Sequence, residues 1–368
     1  MSNSAKPGPV VRPGILEIAA YVGGESKVEG VDRVIRLASN EGALGPSPKA
    51  IAAYQAIAPE IHRYPDGHSG ALRQAIAEAF DLDPARIVCG TGSDEIITLL
   101  ARIYAGPGDE VLYSRHGFLM YPIAAKSVGA TPVAAPEVDL TASVDALLAA
   151  VTPRTKLVFL ANPNNPTGTY LSAREIERLH DGLPPHVVLA LDAAYAEYVA
   201  ESDYEAGVAL VNRARNVIML RTFSKVYALG GLRLGWGYAS AEMVDVLNRI
   251  RGVFNVCSAA QAAGAAAVAD REFLAQSRAH NETWRAWTRK ALEDLGLVVT
   301  PSVANFLLVR FPDAVERNAE HAWDALKSRG ILTRKMTSYG LPAYLRITIG
   351  TADEMQATLA AIAAFLRA

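Results

Sequence analysis

The stretch Val187–Tyr195 reads V-V-L-A-L-D-A-A-Y, and it decides the fold class. Five consecutive apolar residues, Val187–Leu191, are typical of a β-strand that is buried on both faces of a parallel sheet. Asp192 follows directly, and a buried carboxylate is costly unless it meets a partner. A cation at the mouth of the sheet would be such a partner. The alternative is that Asp192 only caps the next turn.

Similar apolar runs alternate with amphipathic helical patterns from about Ser47 to Asp270. The predicted strands are Arg86–Cys89, Glu110–Tyr113, Thr131–Ala134, Leu157–Ala161, Val187–Asp192, Val217–Arg221 and Leu234–Ala239. Predicted helices between them include Ser69–Phe80, Ser93–Tyr104 and Ala173–Asp181. This alternation predicts an α/β domain with a mixed, mostly parallel sheet that helices cover on both faces.

The pattern of predicted elements changes after Asp270, where a long helical stretch is followed by strands and helices. These predicted elements are Arg271–Leu295, Phe306–Phe311, Ala314–Arg329, Tyr344–Ile349 and Ala352–Arg367. We therefore expect a large domain over residues 47–270 and a smaller α+β domain over residues 271–368. The pattern alone does not place residues 1–46, an arm rich in Pro and Gly at its start.

Composition excludes several classes of protein. The chain has 368 residues, which exceeds the usual length of a chain that folds around a single hydrophobic core. Its 51% hydrophobic content argues against disorder. A net charge of −2 gives no sign of a nucleic-acid or membrane partner. There is no membrane-length apolar run and no signal-peptide core. Cys89 and Cys257 show no metal spacing and lie in apolar surroundings, so we expect two buried free thiols, no metal site and a cytoplasmic location.

Two of the predicted strands end in loops with unusual chemistry. Gly90–Glu95 reads G-T-G-S-D-E, and the N–H groups of the helix that follows are suited to binding an anion. A helix cap formed by Ser93 and Asp94 is an equally good interpretation of the same residues. Asn162–Gly168 reads N-P-N-N-P-T-G, which indicates a rigid turn that holds one amide toward a ligand, or a turn and nothing more.

A third loop, Arg221–Trp236, contains a lysine among apolar residues. Lys225 is flanked by Phe223, Val226 and Tyr227, and desolvation would lower its pKa and free the neutral amine. A lone lysine is more often solvated, so this interpretation needs the neighbouring loops. Together the loops offer an anion site, an amide, a carboxylate with a tyrosine, and a lysine with an arginine. That set suits pyridoxal phosphate, which has a phosphate, a cationic ring nitrogen, a phenolic oxygen and an aldehyde.

The ordered motifs resemble those of the histidinol-phosphate aminotransferase family, within the fold-type I pyridoxal-phosphate aminotransferases. The resemblance runs from about Arg12 to the C-terminus. It rests on S-N-E-G-A-L-G-P-S-P (Ser39–Pro48), R-Y-P-D-G (Arg63–Gly67), G-T-G-S-D-E-I-I (Gly90–Ile97), N-P-N-N-P-T-G, L-D-A-A-Y (Leu191–Tyr195), R-T-F-S-K (Arg221–Lys225) and Y-L-R-I-T-I-G (Tyr344–Gly350). It implies that residues 1–46 belong in part to the small domain.

The resemblance also implies the roles of individual residues. Lys225 would form the aldimine with pyridoxal phosphate and move the proton, with Asp192 on the ring nitrogen and Tyr195 on the phenolic oxygen. The cofactor contacts implied are Ser93, Asp94, Phe118, Asn165, Asp192, Tyr195, Thr222, Ser224, Lys225, Arg233 and, from the neighbouring subunit of a homodimer, Tyr64. The substrate contacts implied are Arg346, Arg334, Asn165 and Leu44.

These roles imply ping-pong transfer of an amino group between histidinol phosphate and 2-oxoglutarate. Leu44 departs from the family pattern, because a tyrosine often lines the substrate pocket there, and this leaves the substrate open. The alternatives are an aromatic amino-acid aminotransferase, a decarboxylase of a phosphorylated amino acid, and a non-catalytic binding protein that keeps the fold.

Overall fold

A computed structural model describes residues 8–19, 27–28, 30 and 33–367. Its strands are β1 (Ile35–Arg36), β2 (Ile87–Gly90), β3 (Glu110–Ser114), β4 (Thr131–Ala135), β5 (Glu137–Val138), β6 (Thr141–Ala142), β7 (Thr155–Ala161), β8 (Val188–Asp192), β9 (Val217–Thr222), β10 (Gly235–Tyr238), β11 (Val298–Val299), β12 (Phe306–Arg310), β13 (Ile331–Leu332), β14 (Arg334–Lys335) and β15 (Tyr344–Thr348). Its α-helices are α1 (Pro48–Ala56), α2 (Gly70–Phe80), α3 (Ser93–Tyr104), α4 (Met120–Val128), α5 (Val144–Ala149), α6 (Ala173–Gly182), α7 (Val208–Arg213), α8 (Ala241–Ile250), α9 (Ser258–Ala269), α10 (Arg271–Asp294), α11 (Ala319–Lys327) and α12 (Ala352–Arg367).

A seven-stranded sheet forms the centre of the large unit, in the order β2-β10-β9-β8-β7-β3-β4. Strand β8 pairs in parallel with β7 and β9, whereas β10 runs antiparallel to both of its neighbours. Alternate residues of β8 pack into two different apolar clusters, Leu189 in one and Val188 in the other. Both faces of the strand are therefore buried, and the predicted α/β class with a mixed, mostly parallel sheet is confirmed.

The sheet order brings the ends of several strands to one edge. Strands β7, β8 and β9 are adjacent and parallel, so the residues after Ala161, Asp192 and Thr222 leave the sheet on the same side. The antiparallel β10 begins at that side, because Gly235 pairs with Thr222 and with Gly90. This register places the loops around Ser93, Lys225 and Arg233 together, in the position where ligands bind to open α/β sheets.

A second sheet, in the order β11-β12-β15-β14, belongs to the C-terminal part of the chain. Its apolar cluster includes Leu307 of β12 and Ile347 of β15, together with Leu359 of α12. Residues from the N-terminal part join it, since β1 pairs in parallel with β13. Farther upstream, Arg12 donates to the Ser127 carbonyl at 2.6 Å and so contacts the large unit. We keep the division at residues 46/47 and 270/271 as a proposal.

Three details differ from the sequence-based expectation. Helix α11 begins at Ala319 rather than Ala314, because the Asn318 side chain caps it by accepting from the His321 N–H. Cys89 is buried as predicted, but the prediction for Cys257 was wrong: its side chain is exposed where the loop before α9 ends. Within the described residues, no helix combines the length and the apolar character that crossing a bilayer requires.

Candidate active site

A cavity of about 310 Å³ opens where the strand ends converge. It brings together ten residues that the sequence singled out: Ser93, Asp94, Phe118, Asn165, Asp192, Tyr195, Thr222, Ser224, Lys225 and Arg233. Met120, Ala161, Pro163 and Ala194 complete its lining. The site therefore follows from the sheet topology, which joins loops that are far apart in the sequence.

Asp192 is a buried carboxylate at the floor of the cavity. Its Oδ2 accepts a hydrogen bond from the Tyr121 hydroxyl at 2.8 Å, and the Ala194 N–H also acts on the carboxylate, whereas Oδ1 forms no hydrogen bond of normal geometry among the described residues. Burial raises the pKa of Asp192 from 3.8 to about 6, against the opposing effect of the Tyr121 hydrogen bond. A buried carboxylate oxygen without a partner is suited to receiving a cationic N–H group.

Lys225 lies in the same cavity with its amine close to both units of the protein. Its Nζ donates to the Ser39 carbonyl at 3.1 Å and lies 5.8 Å from the centre of the Tyr195 ring. Burial, together with the positive charges of Arg346 and Arg233, lowers the pKa of Lys225 from 10.5 to about 8. A lysine with such a pKa has a substantial neutral fraction near neutral pH, which makes it a nucleophile and a proton carrier.

The N-terminus of α3 forms the end of the cavity that is suited to an anion. Gly92 precedes the helix with φ +83°, and no side chain caps the first N–H groups. A methyl group at Gly235 would lie 2.2 Å from the Ser93 nitrogen, so the close approach of β10 to this terminus requires glycine. Arg233 adds a positive charge and is held by Asp94 at 2.9 Å. Free N–H groups and a guanidinium together favour a phosphate.

Asn165 also lines this cavity, and Arg346 contacts it from the small unit. Asn162 fixes the loop that carries Asn165, because its amide accepts from the Leu171 N–H at 2.7 Å and donates to the Leu171 carbonyl at 3.0 Å. The buried Arg346 of β15 donates to Asn165 Oδ1 and, at 2.6 Å, to the Ala38 carbonyl. The guanidinium of the small unit is thereby held at the mouth of the large unit's cavity.

A second cavity of about 130 Å³ adjoins the first and shares Phe118, Asn165, Tyr195 and Lys225 with it. Its other lining residues are Ala38, Ser39, Asn40, Arg334, Tyr339 and Arg346. Strands β14 and β15 pair Arg334 directly opposite Arg346, so two guanidinium groups face this space. Two arginines beside a reactive amine are suited to a substrate with acidic groups.

Two predicted residues lie outside both cavities. Leu44 lines a separate small cavity with Gly42 and Tyr198, and its expected place in the substrate pocket stays a prediction. A methyl group at Gly42 would lie 2.8 Å from the Lys225 carbonyl oxygen, so the chain passes close to the lysine loop just before Leu44. Tyr64 is 84% exposed and stacks on Phe254 at 4.8 Å. Its reach into a neighbouring subunit stays a prediction.

Sequence reasoning missed three residues that the structure places here: Tyr121, Asn40 and Tyr339. Tyr121 holds Asp192, but its apolar context in a helix indicates an ordinary core residue. Asn40 donates from Nδ2 to the Tyr195 hydroxyl at 2.8 Å, and its position in the quoted S-N-E-G motif was the available signal. Tyr339 follows no motif and enters the second cavity from a short 3-10 turn.

Known proteins share the sequence and the fold. The family model for aminotransferase class I and II matches residues 32–362. The histidinol-phosphate aminotransferase of Paramagnetospirillum magneticum is 59% identical over 98% of this chain and 99% of its own length. That of Rhodospirillum centenum is 60% identical with the same coverage.

Among solved structures, the histidinol-phosphate aminotransferase from Sinorhizobium meliloti in complex with pyridoxal-5'-phosphate superposes with a TM-score of 0.86. It is 28% identical, and the match covers 100% of this chain and 99% of that one. These matches agree with the motifs and with the fold-type I architecture. The chain belongs to the aminotransferase class I and II family, and its curated relatives within that family are histidinol-phosphate aminotransferases.

Proposed function

We propose that this aminotransferase uses pyridoxal phosphate and moves an amino group between histidinol phosphate and 2-oxoglutarate. One observation carries the proposal. A lysine whose pKa falls to about 8 shares a cavity with a buried carboxylate oxygen that has no partner among the described residues. An aldehyde cofactor with a cationic ring nitrogen needs both features in one cavity.

The residues present fit the parts of pyridoxal phosphate. Asp192 Oδ1 would receive the ring N–H, and the uncapped N-terminus of α3 with Arg233 would hold the phosphate. Thr222 and Ser224 lie beside that terminus, and Tyr195 with Asn165 would contact the phenolic oxygen. When bound, the cofactor supplies an aldehyde that captures amines and a ring that withdraws electrons from the bond being broken.

Lys225 is the proton carrier in this proposal. Its pKa of about 8 leaves the amine able both to take and to give a proton near neutral pH. Asp192, held by Tyr121 at 2.8 Å, stays ionised opposite a cation and keeps a proton on the ring nitrogen. Phe118 closes one wall of the cavity. Its loop is anchored by the buried contact between His116 Nδ1 and Glu137 Oε2 at 2.6 Å.

The substrate proposal rests on the paired arginines and on the relatives' names. Arg346 and Arg334 face the second cavity from adjacent strands, where they would hold the acidic groups of substrate and acceptor. Both histidinol phosphate and 2-oxoglutarate carry such groups. We assign Arg334 to the phosphate of the donor, because Arg346 is already directed to Asn165 and to the mouth of the first cavity.

A spectral titration tests this proposal. The protein with pyridoxal phosphate should absorb visible light. Histidinol phosphate should bleach that band, 2-oxoglutarate should restore it, and phenylalanine should act far more weakly. Lys225→Ala should abolish turnover, and Arg334→Gln should raise KM for histidinol phosphate about tenfold. The exposed Arg329→Gln serves as the matched control.

Other outcomes would point to the rival functions. Equal bleaching by phenylalanine indicates an aromatic aminotransferase, and release of carbon dioxide indicates a decarboxylase. A protein that stays colourless with pyridoxal phosphate would contradict the proposal, and binding without any spectral change on adding amines would favour a non-catalytic role.

We further propose that the chain acts as a homodimer in the cytoplasm. Tyr64 lies on the surface with other exposed apolar side chains, namely Ile61, Val253 and Phe254. A contiguous exposed apolar patch marks an interaction surface, and symmetric dimers are the commonest assembly of soluble proteins. Burial of this patch in a dimer would carry Tyr64 toward the partner's cavity.

A further inference from the structure

Asn40 occupies a strained and fully enclosed position between the two units. It is 1% exposed and its φ is +55°, a conformation that asparagine tolerates better than most residues. The backbone N–H of Asn40 donates to Thr348 Oγ1 at 3.0 Å, and its carbonyl accepts from Asn305 Nδ2 at 3.1 Å. The residue is therefore fixed to the small sheet through both backbone groups.

The orientation of the Asn40 side chain follows from Thr348. That hydroxyl is 2% exposed, already accepts from the Asn40 N–H, and needs an acceptor for its own proton. Asn40 Oδ1 lies 3.1 Å away and provides that acceptor. The amide is thereby turned so that its Nδ2 points toward the large unit, where it donates to the Tyr195 hydroxyl at 2.8 Å.

This contact determines the direction of the Tyr195 proton. The phenol oxygen accepts from Asn40, and within the described residues no other hydrogen bond of this hydroxyl is recorded. Tyr195 is buried against Phe306 at 5.3 Å, and its side chain lines both cavities. The Tyr195 O–H cannot donate to the Asn40 amide, because that amide presents an N–H group to it. The phenol proton is therefore donated into the cavity.

We infer that Asn40 is a positioning residue, which holds the Tyr195 oxygen as an acceptor so that the phenol proton is donated into the active-site cavity. The inference rests on the proposed function, because the acceptor there would be the phenolic oxygen of pyridoxal phosphate. A hydrogen bond received by Tyr195 also polarises its O–H group and strengthens the bond that it donates. Asn40 thus acts on the cofactor through Tyr195 and touches neither substrate nor cofactor.

The test is a double-mutant cycle on the pH midpoint of the holoenzyme's visible band. A donor to the cofactor's phenolic oxygen stabilises the ionised form, so weakening that donor raises the midpoint. Asn40→Gly preserves the positive φ and removes the amide, and it should raise the midpoint by about half to one pH unit. Tyr195→Phe should raise it further. The double variant Asn40→Gly/Tyr195→Phe should then have the same midpoint as Tyr195→Phe alone.

Thr348→Val is the second variant, since it keeps the amide and removes the hydroxyl that orients it, together with the acceptor of the Asn40 N–H. It should shift the midpoint in the same direction by a smaller amount, and it covers the case in which Asn40→Gly fails to fold. The inference would be overturned if Asn40→Gly shifted the midpoint equally with and without the Tyr195 hydroxyl. It would also be overturned if neither Asn40→Gly nor Thr348→Val shifted the midpoint. A protein without any visible band would instead overturn the proposed function, which separates the two failures.

Discussion

The chemistry at Lys225 is set by its surroundings more than by its own side chain. Burial is the main cause of its lowered pKa, and two guanidinium groups, those of Arg346 and Arg233, act in the same direction. Asp192 and Glu41 oppose them by stabilising the ammonium form. The arginines that would hold anionic groups thus also activate the amine, so one set of charges serves both binding and reactivity.

The pH dependence of this amine is the prediction at the residue scale. Neutral lysine is the reactive form, so the rate at which the protein takes up pyridoxal phosphate into its visible band should rise with pH and level off above about 8. Arg346→Gln removes one of the nearby positive charges, so it should move this midpoint upward. Stopped-flow absorbance from pH 6 to about 10.5 measures it.

Arg346→Lys is the matched control, because it retains the positive charge and should leave the midpoint close to that of the unaltered protein. A midpoint near 10.5 in the unaltered protein would contradict the lowered pKa. If the midpoint were the same in all three proteins, the charge of Arg346 would not contribute to the lowered pKa of Lys225.

Several of the residues that the sequence could identify lie at or shortly after the carboxyl end of a strand. Asp192 and Lys225 could be found because parallel strands end at a common edge. Tyr121 and Asn40 could not, since each acts on another side chain across a large sequence separation. Leu44 is the opposite case: a motif suggested its role, and that role stays a prediction because Leu44 lines a separate cavity in the structure.

At the level of elements, the site depends on the contact between β10 and the N-terminus of α3. A side chain on β10 at Gly235 would collide with the backbone of Gly92 and Ser93, so the strand can approach the helix only as glycine. That approach leaves the first N–H groups of α3 directed into the cavity. The proposed phosphate site would therefore be a consequence of sheet packing, with Arg233 as an addition to it.

Gly235→Ala tests this dependence on packing. The added methyl group would lie 2.2 Å from the Ser93 nitrogen, so α3 must shift, at a cost of about 1–3 kcal/mol in the free energy of unfolding. Affinity for pyridoxal phosphate should fall more than affinity for pyridoxal, because only the former uses the helix terminus. Equilibrium binding of the two compounds gives the comparison.

Gly231→Ala is the control, since nothing lies within 4 Å of a methyl group at that position of the same loop. It should leave stability and both affinities nearly unchanged. If Gly235→Ala weakened the binding of pyridoxal and pyridoxal phosphate equally, the terminus of α3 would not be the phosphate site.

Pattern predicted the elements of the large sheet to within one or two residues, because buried strands and amphipathic helices differ clearly in period. Helix α3 begins and ends where the sequence placed it, at Ser93 and Tyr104. The pairing of the strands was harder to predict from the sequence, because no local signal shows that β10 runs antiparallel or that β1 pairs with β13. Those contacts are tertiary, and they assemble the site.

At the scale of the whole molecule, the site joins two units of the chain. The large sheet supplies Lys225 and Asp192, whereas the small sheet supplies Arg346 and the Thr348 that holds Asn40. In the proposed function, this composite site would hold a substrate with groups from both units. A homodimer would add a third contributor, because Tyr64 faces away from its own cavity.

Complementation between one weakened parent and one inactive parent tests that third contribution. Tyr64→Ala should lower kcat/KM about tenfold, as expected for the loss of one hydrogen bond to a phosphate, and Lys225→Ala should be inactive. A mixed dimer of these two chains contains one site with both Lys225 and the partner's Tyr64 intact. Isolated through two different tags, it should recover about half of the wild-type activity.

The same experiment separates the two possible geometries of Tyr64. If the tyrosine served its own subunit, the mixed dimer would combine one site without Lys225 and one site without Tyr64. Its activity would then not exceed that of the Tyr64→Ala parent. Arg63→Ala in place of Tyr64→Ala is the matched control, because it alters a neighbouring exposed side chain and should leave the homodimer's activity intact. Recovery in the mixed dimer therefore requires that Tyr64 act across the interface, and its absence would contradict the shared site.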